Sequence, residues 1–280
     1  MTEFRPGRFQ ILPPIVKNLI IINVLMVLLQ FVLAQFNIDL ADHLGLHYWR
    51  SPLYNPWQLI THIFMHGSAF DVNVTVMHLF SNMFALWMFG SILENLWGAK
   101  RFLVFYMICG VGAALCHLAV LGYEYNLYET AFYNYQQSPT LDAYIKFVHS
   151  NNLDRYQDFV RLQNHWETDP GCTSCINQSI AYFNQLYAIK INEATVGASG
   201  AVFGILFAFG YLFPNTLLYI YFLVPIKAKY VVGAYALFEI YAGIQNSAGD
   251  NIAHFAHLGG MLVAFIILKI WNRTERKRFY

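Results

Sequence analysis

Charge is what this sequence has least of. Asp, Glu, Lys and Arg make up 12% of its 280 residues, about half the ~25% of an ordinary soluble domain. That is too little to cover a water-soluble globule of this size. The net charge is +1, so no basic field points to nucleic acid. There are 4 cysteines, too few for a disulfide-built scaffold. No H-E-x-x-H motif offers a metalloprotease, and no internal repeat offers a solenoid or an inverted-repeat transporter. Disorder is excluded by a hydrophobic fraction of 57% and a mean hydropathy of +0.40. What the chain has in abundance is apolar length, and its composition is that of a polytopic membrane protein.

A helix crosses ~30 Å of hydrocarbon with ~20 mostly apolar residues. Six stretches are candidates: Ile15–Phe36, Val76–Leu96, Phe102–Gly122, the short Gly200–Phe213, Val231–Gln245 (extended backward toward Ile226) and Ile252–Trp271. The first is too long for a signal-peptide core, and no small-residue cleavage site follows it. Basic residues set the orientation. Arg5 and Arg8 precede span one and Lys17 lies near its start, Lys100 and Arg101 follow span two, Lys227 and Lys229 precede span five, and Lys269, Arg273, Arg276, Lys277 and Arg278 close the chain. With six spans, all four groups fall on one side, so both termini are expected in the cytoplasm of a bacterial cell with an inner-membrane location.

The expected organisation follows. Residues 1–14 are a cytoplasmic tail, 15–122 hold spans one to three with an interfacial first loop over 37–75, 123–195 form an external insertion, 196–271 hold spans four to six, and 272–280 are a basic cytoplasmic tail. The first loop carries Trp49, Trp57, His62 and His66, a pattern suited to the membrane surface. The insertion is Tyr- and Asn-rich, and stretches such as Leu141–Leu162 have helical spacing, which reads as a small external subdomain. Its Cys172 and Cys175 form C-T-S-C. A local structural disulfide is preferred there over a redox dithiol or half of a zinc site. Cys109 and Cys116, in span three, read as packing residues.

Polar side chains inside a span are costly and are functional candidates by default. Four stand out: His78 and Asn82 in span two, Ser199 at the start of span four, and His257 in span six. Ser199 lies in Gly197-Ala198-Ser199-Gly200, where glycines permit close backbone approach and a helix N-terminus favours negative charge. Gly200-x-x-x-Gly204-x-x-x-Ala208 and Gly260-x-x-x-Ala264 are small-residue stripes that let membrane helices pack closely. Set face to face, they bring Ser199 and His257 to one end, where imidazole can take the serine proton. His254, one turn earlier, is the rival base and is read instead as structural or solvent-facing. His78 and Asn82 share a helix face at i, i+4 and, with the Ser199 N–H, are suited to an oxyanion hole. His62 and His66 have the same spacing but lack a third ligand, so they read as structural. Glu94 reads as a group that holds a loop or helix terminus.

As a set, Pro56-Trp57-Gln58, His62, His66, His78-x-x-x-Asn82, Glu94, Gly197-x-Ser199-Gly200 and His257-x-x-Gly260-x-x-x-Ala264 resemble the rhomboid family of intramembrane serine proteases. The resemblance spans nearly the whole chain apart from 123–195. It implies an all-α, six-transmembrane-helix bundle with the insertion between spans three and four. It implies a Ser199–His257 dyad in a cavity open to the exterior, with an oxyanion hole of His78, Asn82 and the Ser199 N–H. Gly197, Gly200, Phe203 and Gly260 would support the motif. No metal or organic cofactor is implied. The partners implied are the lipid bilayer and single-pass membrane proteins, cut at small residues near the external end of an easily unwound helix. The sequence departs from the family at Gln58, where Arg is common, which is expected to loosen the first loop. It departs again at Phe203, where Tyr is common, and at Ala264, where Gly is common. The alternative function is a catalytically inactive rhomboid-like binder or chaperone of membrane helices.

Overall fold

The computed structural model describes residues 9–220, 224–245 and 253–276. Arg5, Arg8, Ile252, Lys277 and Arg278, which entered the topology reading, lie outside them. The described chain is mostly helical and forms two compact units.

The first unit comprises residues 1–46, 53–117 and 194–280. Pro13 and Pro14 start helix α1 (Pro14–Ala34), since a proline at the first helical position has the right φ and no N–H to satisfy. Its next N–H groups are met from a distance. Ile15 N donates to Glu94 Oε1 at 2.9 Å and Val16 N to Oε2 at 2.8 Å. Glu94 thus caps one span from the end of another. The first loop holds only short turns, α2 (Ala41–Leu44), α3 (Gln58–Thr61) and a 3₁₀ turn over His62–Phe64. Asp71 then caps α4 (Val72–Ala85), accepting from Val74 N at 3.1 Å. A π-helical turn at Leu86–Gly90 and α5 (Ser91–Trp97) continue the same 26-residue span.

After Gly98, α6 runs over Ala99–Gln137. The helix continues past Gly122, the expected end of span three, into the insertion. Its stop comes at Ser138-Pro139, where proline has no N–H to offer.

The second unit, residues 47–52 and 118–193, carries the end of α6 with α7 (Leu141–Ser150), α8 (Gln157–Thr168) and α9 (Thr173–Ile191). Asn152, at φ 53°, turns the chain between α7 and α8. An aromatic core surrounds Phe183, with Phe147 at 4.1 Å and Tyr135 at 5.2 Å between ring centroids. The buried tyrosines keep their hydroxyls paired. Tyr128 donates to Phe183 O at 2.9 Å and Tyr144 to Phe159 O at 2.9 Å. A disulfide joins Cys172 and Cys175 at the start of α9.

In the first unit again, α10 (Ser199–Leu212) leads to an antiparallel hairpin, β1 (Leu217–Ile220) paired with β2 (Val224–Lys227), in register Leu217 with Lys227. The backward extension of span five toward Ile226 therefore stops at Ala228, because Ile226 and Lys227 belong to β2. Val224-Pro225 holds the chain extended, and a two-stranded ribbon tolerates a proline. Helix α11 (Ala228–Gln245) begins only after it, and α12 (His254–Arg276) completes the unit.

Among the described residues, four helices are long and apolar enough to cross a membrane: Pro14–Ala34, Val72–Trp97, Ala99–Gln137 and His254–Asn272. Helix α10 is shorter, at 14 residues. The burial pattern is that of a multi-pass membrane protein. In α1, Leu25, Leu28 and Val32 are exposed while Asn23 and Gln30 are buried, the inverse of a soluble helix. The Gln30 amide accepts from His66 N at 3.2 Å and donates to His66 O at 3.3 Å, so it ties α1 to the first loop through a fully satisfied peptide group.

Candidate active site

The site is built around the first turn of α10. Just before it, Thr195 exchanges backbone hydrogen bonds with Leu46, at 2.9 and 2.8 Å. The His117 Nε2 atom lies 2.9 Å from Thr195 Oγ1. Gly197 N donates to His62 O at 3.0 Å. These contacts hold the approach to Ser199 against the first loop and α6. Gly197 has φ +132°, which side-chain-bearing residues rarely adopt, and a Cβ there would lie 3.0 Å from His78 Cε1 and Nε2. The His78 ring is therefore seated beside the turn that carries Ser199.

Helix α10 sits between α6 and α12 at backbone-contact range. A Cβ on Gly200 would lie 2.5 Å from Ala113 Cβ, and one on Gly204 2.8 Å from Cys109. On the opposite face, a Cβ on Gly260 would lie 1.9 Å from Gly200 O. The stripes of α10 and α12 thus meet face to face, with Ala208 and Ala264 fully buried.

This approach brings Ser199 Oγ to 2.8 Å from His257 Nε2. The Phe203 ring stacks on the imidazole at 4.1 Å and 6°. His257 is 7% exposed, whereas Ser199 and His78 are half-buried, so the site is not sealed. Asn82 is buried and its Nδ2 donates to His78 O at 3.0 Å. An amide nitrogen carries two protons, so this bond uses one.

A residue that sequence reasoning missed completes the cluster. Glu239 of α11 is 3% exposed. Its Oε2 lies 2.9 Å from His257 Nδ1 and 2.6 Å from His254 Nδ1. His254 is therefore not solvent-facing; it is 6% exposed against this carboxylate. The signal was available, because Glu239 is the one acidic residue of the fifth apolar stretch and meets the same criterion that drew attention to His78. Glu239, His254 and His257 are also ligand-capable atoms lying within 4.8 Å of one another. Their separations are ordinary hydrogen-bond lengths, and the three groups satisfy one another. The disulfide occupies Cys172 and Cys175, which leaves their thiolates unavailable as ligands beside His165.

The first loop is braced more firmly than the sequence implied. Gln58 is fully buried; its Nε2 donates to Leu53 O at 2.9 Å and to His43 O at 3.3 Å, and its Oε1 accepts from Asn55 N at 3.1 Å. At the position where Arg is common, the Gln58 amide thus ties Leu53, His43 and Asn55 together across the loop. His62 donates from Nδ1 to Gln58 O at 2.8 Å. Burial pushes its imidazole down to about 4, against the effect of that bond. Burial, with the nearby His78 adding to it, pushes His66 down to about 3. Both are neutral at physiological pH.

Comparison with protein-family models matches the Rhomboid domain over residues 54–133 and 173–273. Residues 134–172 fall outside the matched segments. No curated protein sequence matches the chain.

Proposed function

We propose that this chain, which belongs to the rhomboid family, is an active intramembrane serine protease that uses Ser199 and His257 as its catalytic pair. The single observation that carries the reading is the 2.8 Å approach of Ser199 Oγ to His257 Nε2 at the N-terminus of a helix. The hydroxyl attacks a peptide carbonyl and its proton passes to Nε2. The new oxyanion is met by the Ser199 N–H, which as the first of its helix has no intrahelical acceptor, by the second Nδ2 proton of Asn82 and by the His78 ring. Such preorganised donors are each worth about 3–4 kcal/mol when essential. The imidazolium then protonates the leaving amine, and water repeats the sequence on the acyl-enzyme.

The wider reading is of six spans, with α10 and α11 crossing alongside the four long apolar helices. At ~1.5 Å per residue, the 14 residues of α10 reach about 21 Å, which recesses Ser199 beneath the external surface. Both termini lie in the cytoplasm, the insertion of 123–195 lies outside, and the site opens to that side. Substrates are single-pass membrane proteins cut near the external end of a helix. The test is release of a reporter's external fragment in membranes bearing the wild-type chain or Ser199→Ala. Release by the wild type alone is expected. Equal release by both would reject Ser199 as nucleophile, and release by neither would favour a non-catalytic binder of membrane helices.

A further inference from the structure

Helix α11 turns a thin face inward. Its buried residues are Ala228, Val232 and Glu239, while Leu237, Phe238, Ile240 and Tyr241 are exposed. The one acidic residue of the helix therefore lies on its inward stripe, level with the two histidines of α12. A carboxylate buried in an apolar bundle needs donors, and the hydrogen bonds of this one run to two imidazoles, both on Oε2.

That geometry fixes a proton. An ionised carboxylate only accepts, so His257 Nδ1 must carry hydrogen. A neutral imidazole has one N–H, so Nε2 is then a bare lone pair, and it faces Ser199 Oγ. Without a partner at Nδ1 the ring is free to adopt the opposite tautomer, which cannot accept the serine proton.

We propose that Glu239 is a positioning residue for His257, setting its tautomer and orientation and stabilising the imidazolium formed during acyl transfer, while His254 holds the same carboxylate oxygen from the other side. This rests on the Ser199–His257 reading above and deepens it from a pair to a hydrogen-bonded chain of four groups. The balance is simple. The Oγ–H bond breaks as the Oγ–C bond forms, the proton moves to Nε2, and the Nδ1 proton stays in its bond to Oε2. On collapse, the Nε2 proton leaves with the amine. The carboxylate takes up no proton.

The pH profile distinguishes this role from simple helix pinning. Among the described residues, the titratable groups around His257 are Glu239 from α11, His254 from its own helix, and His78 of α4 and His117 of α6 within electrostatic reach. Tyr235 of α11 meets the stacked Phe203 ring. Among them Glu239 alone supplies negative charge at neutral pH, so its loss disfavours imidazolium. The experiment uses the full chain in proteoliposomes with a transmembrane reporter, rates being normalised to sites titrated by a fluorophosphonate.

For Glu239→Gln, a fall in kcat of about 10²–10⁴-fold is expected, by analogy with loss of the orienting acid in soluble serine proteases. KM should change little, and the acid limb of kcat/KM should move to lower pH. Glu239→Asp keeps the charge and should keep the limb in place with a partial loss of kcat. A wild-type rate and unshifted limb in Glu239→Gln, with Ser199→Ala inactive, would overturn the role of Glu239 and leave the Ser–His pair standing. A wild type that neither cleaves nor labels at Ser199 would instead reject the pair itself. Nitrogen chemical shifts of labelled His257 in the intact wild type read the tautomer without any variant. The Nδ1–H form above the acid limb is expected, and the Nε2–H form would overturn the proposal.

Discussion

Gly260→Ala is the smallest change that tests how the site is assembled. A Cβ at 260 falls 1.9 Å from Gly200 O. Ordinary contact starts at about 3.4 Å, so α10 and α12 must separate by about 1.5 Å. The obstructing atom is a backbone carbonyl, which cannot swing aside as a side chain does. Ser199 and His257 sit on these two helices, one turn from the clash, and their 2.8 Å hydrogen bond cannot survive a shift of that size. Misplacement by ~1 Å costs about 10²-fold in rate, and overpacking costs about 1–3 kcal/mol in stability. The assay is kcat on a transmembrane reporter, with thermal unfolding in the same micelles. Gly233→Ala is the matched control, since nothing lies within 4 Å of a Cβ there. The expected outcome is a fall of about 10²-fold in kcat for Gly260→Ala and none for Gly233→Ala. Equal activity in the two would show that close approach of the stripes does not set the Ser199–His257 distance.

Two further predictions concern stability. His62 and His66 have unfolded values of 6.5 and lie near 4 and 3 in the fold, so the unfolded chain binds more protons between these limits. Stability is full above pH 6.5 and is lost as pH falls through about 4 and then 3, by roughly 3 kcal/mol for His62 at ~1.36 kcal/mol per unit. Unfolding midpoints measured from pH 7 to pH 4.5 should fall, and His62→Gln should flatten that slope; an unchanged slope would contradict the burial argument. Glu94→Ala leaves the Ile15 and Val16 N–H groups unmet and should cost about 3–6 kcal/mol at ~1.5–3 kcal/mol per charged hydrogen bond, with kcat per folded molecule unchanged. Wild-type stability in that variant would mean that the α1 terminus needs no cap.

Much of the site was legible because membrane helices can pack this closely only through small residues. Gly200, Gly204, Gly260 and Ala264 announce where two backbones meet, and Ser199 and His257 stand at the end of that seam. Glu94 was legible as a terminus holder because an acid near a span end has few other uses. Other features were not. Gln58 was read by what it replaces, but its amide spans Leu53, His43 and Asn55, a geometry set by the loop rather than by local pattern. The strands Leu217–Ile220 and Val224–Lys227 come from an apolar run that helical and extended chains share, with only Pro225 to separate them. Glu239 stands out in the sequence only as a costly acid in an apolar stretch, with no motif around it to give it a partner. Its meaning comes from α11 turning that one face toward α12, a tertiary fact that spacing along one helix does not encode.

The central claim is that Ser199 is a nucleophile activated by His257. The most direct measurement is peptide mapping of the chain after reaction with a fluorophosphonate in membranes. The account predicts an adduct on Ser199 in the wild type that is lost in His257→Ala. Labelling of Ser199 that persists at the same rate without His257, or no adduct at Ser199 in the wild type, would contradict it.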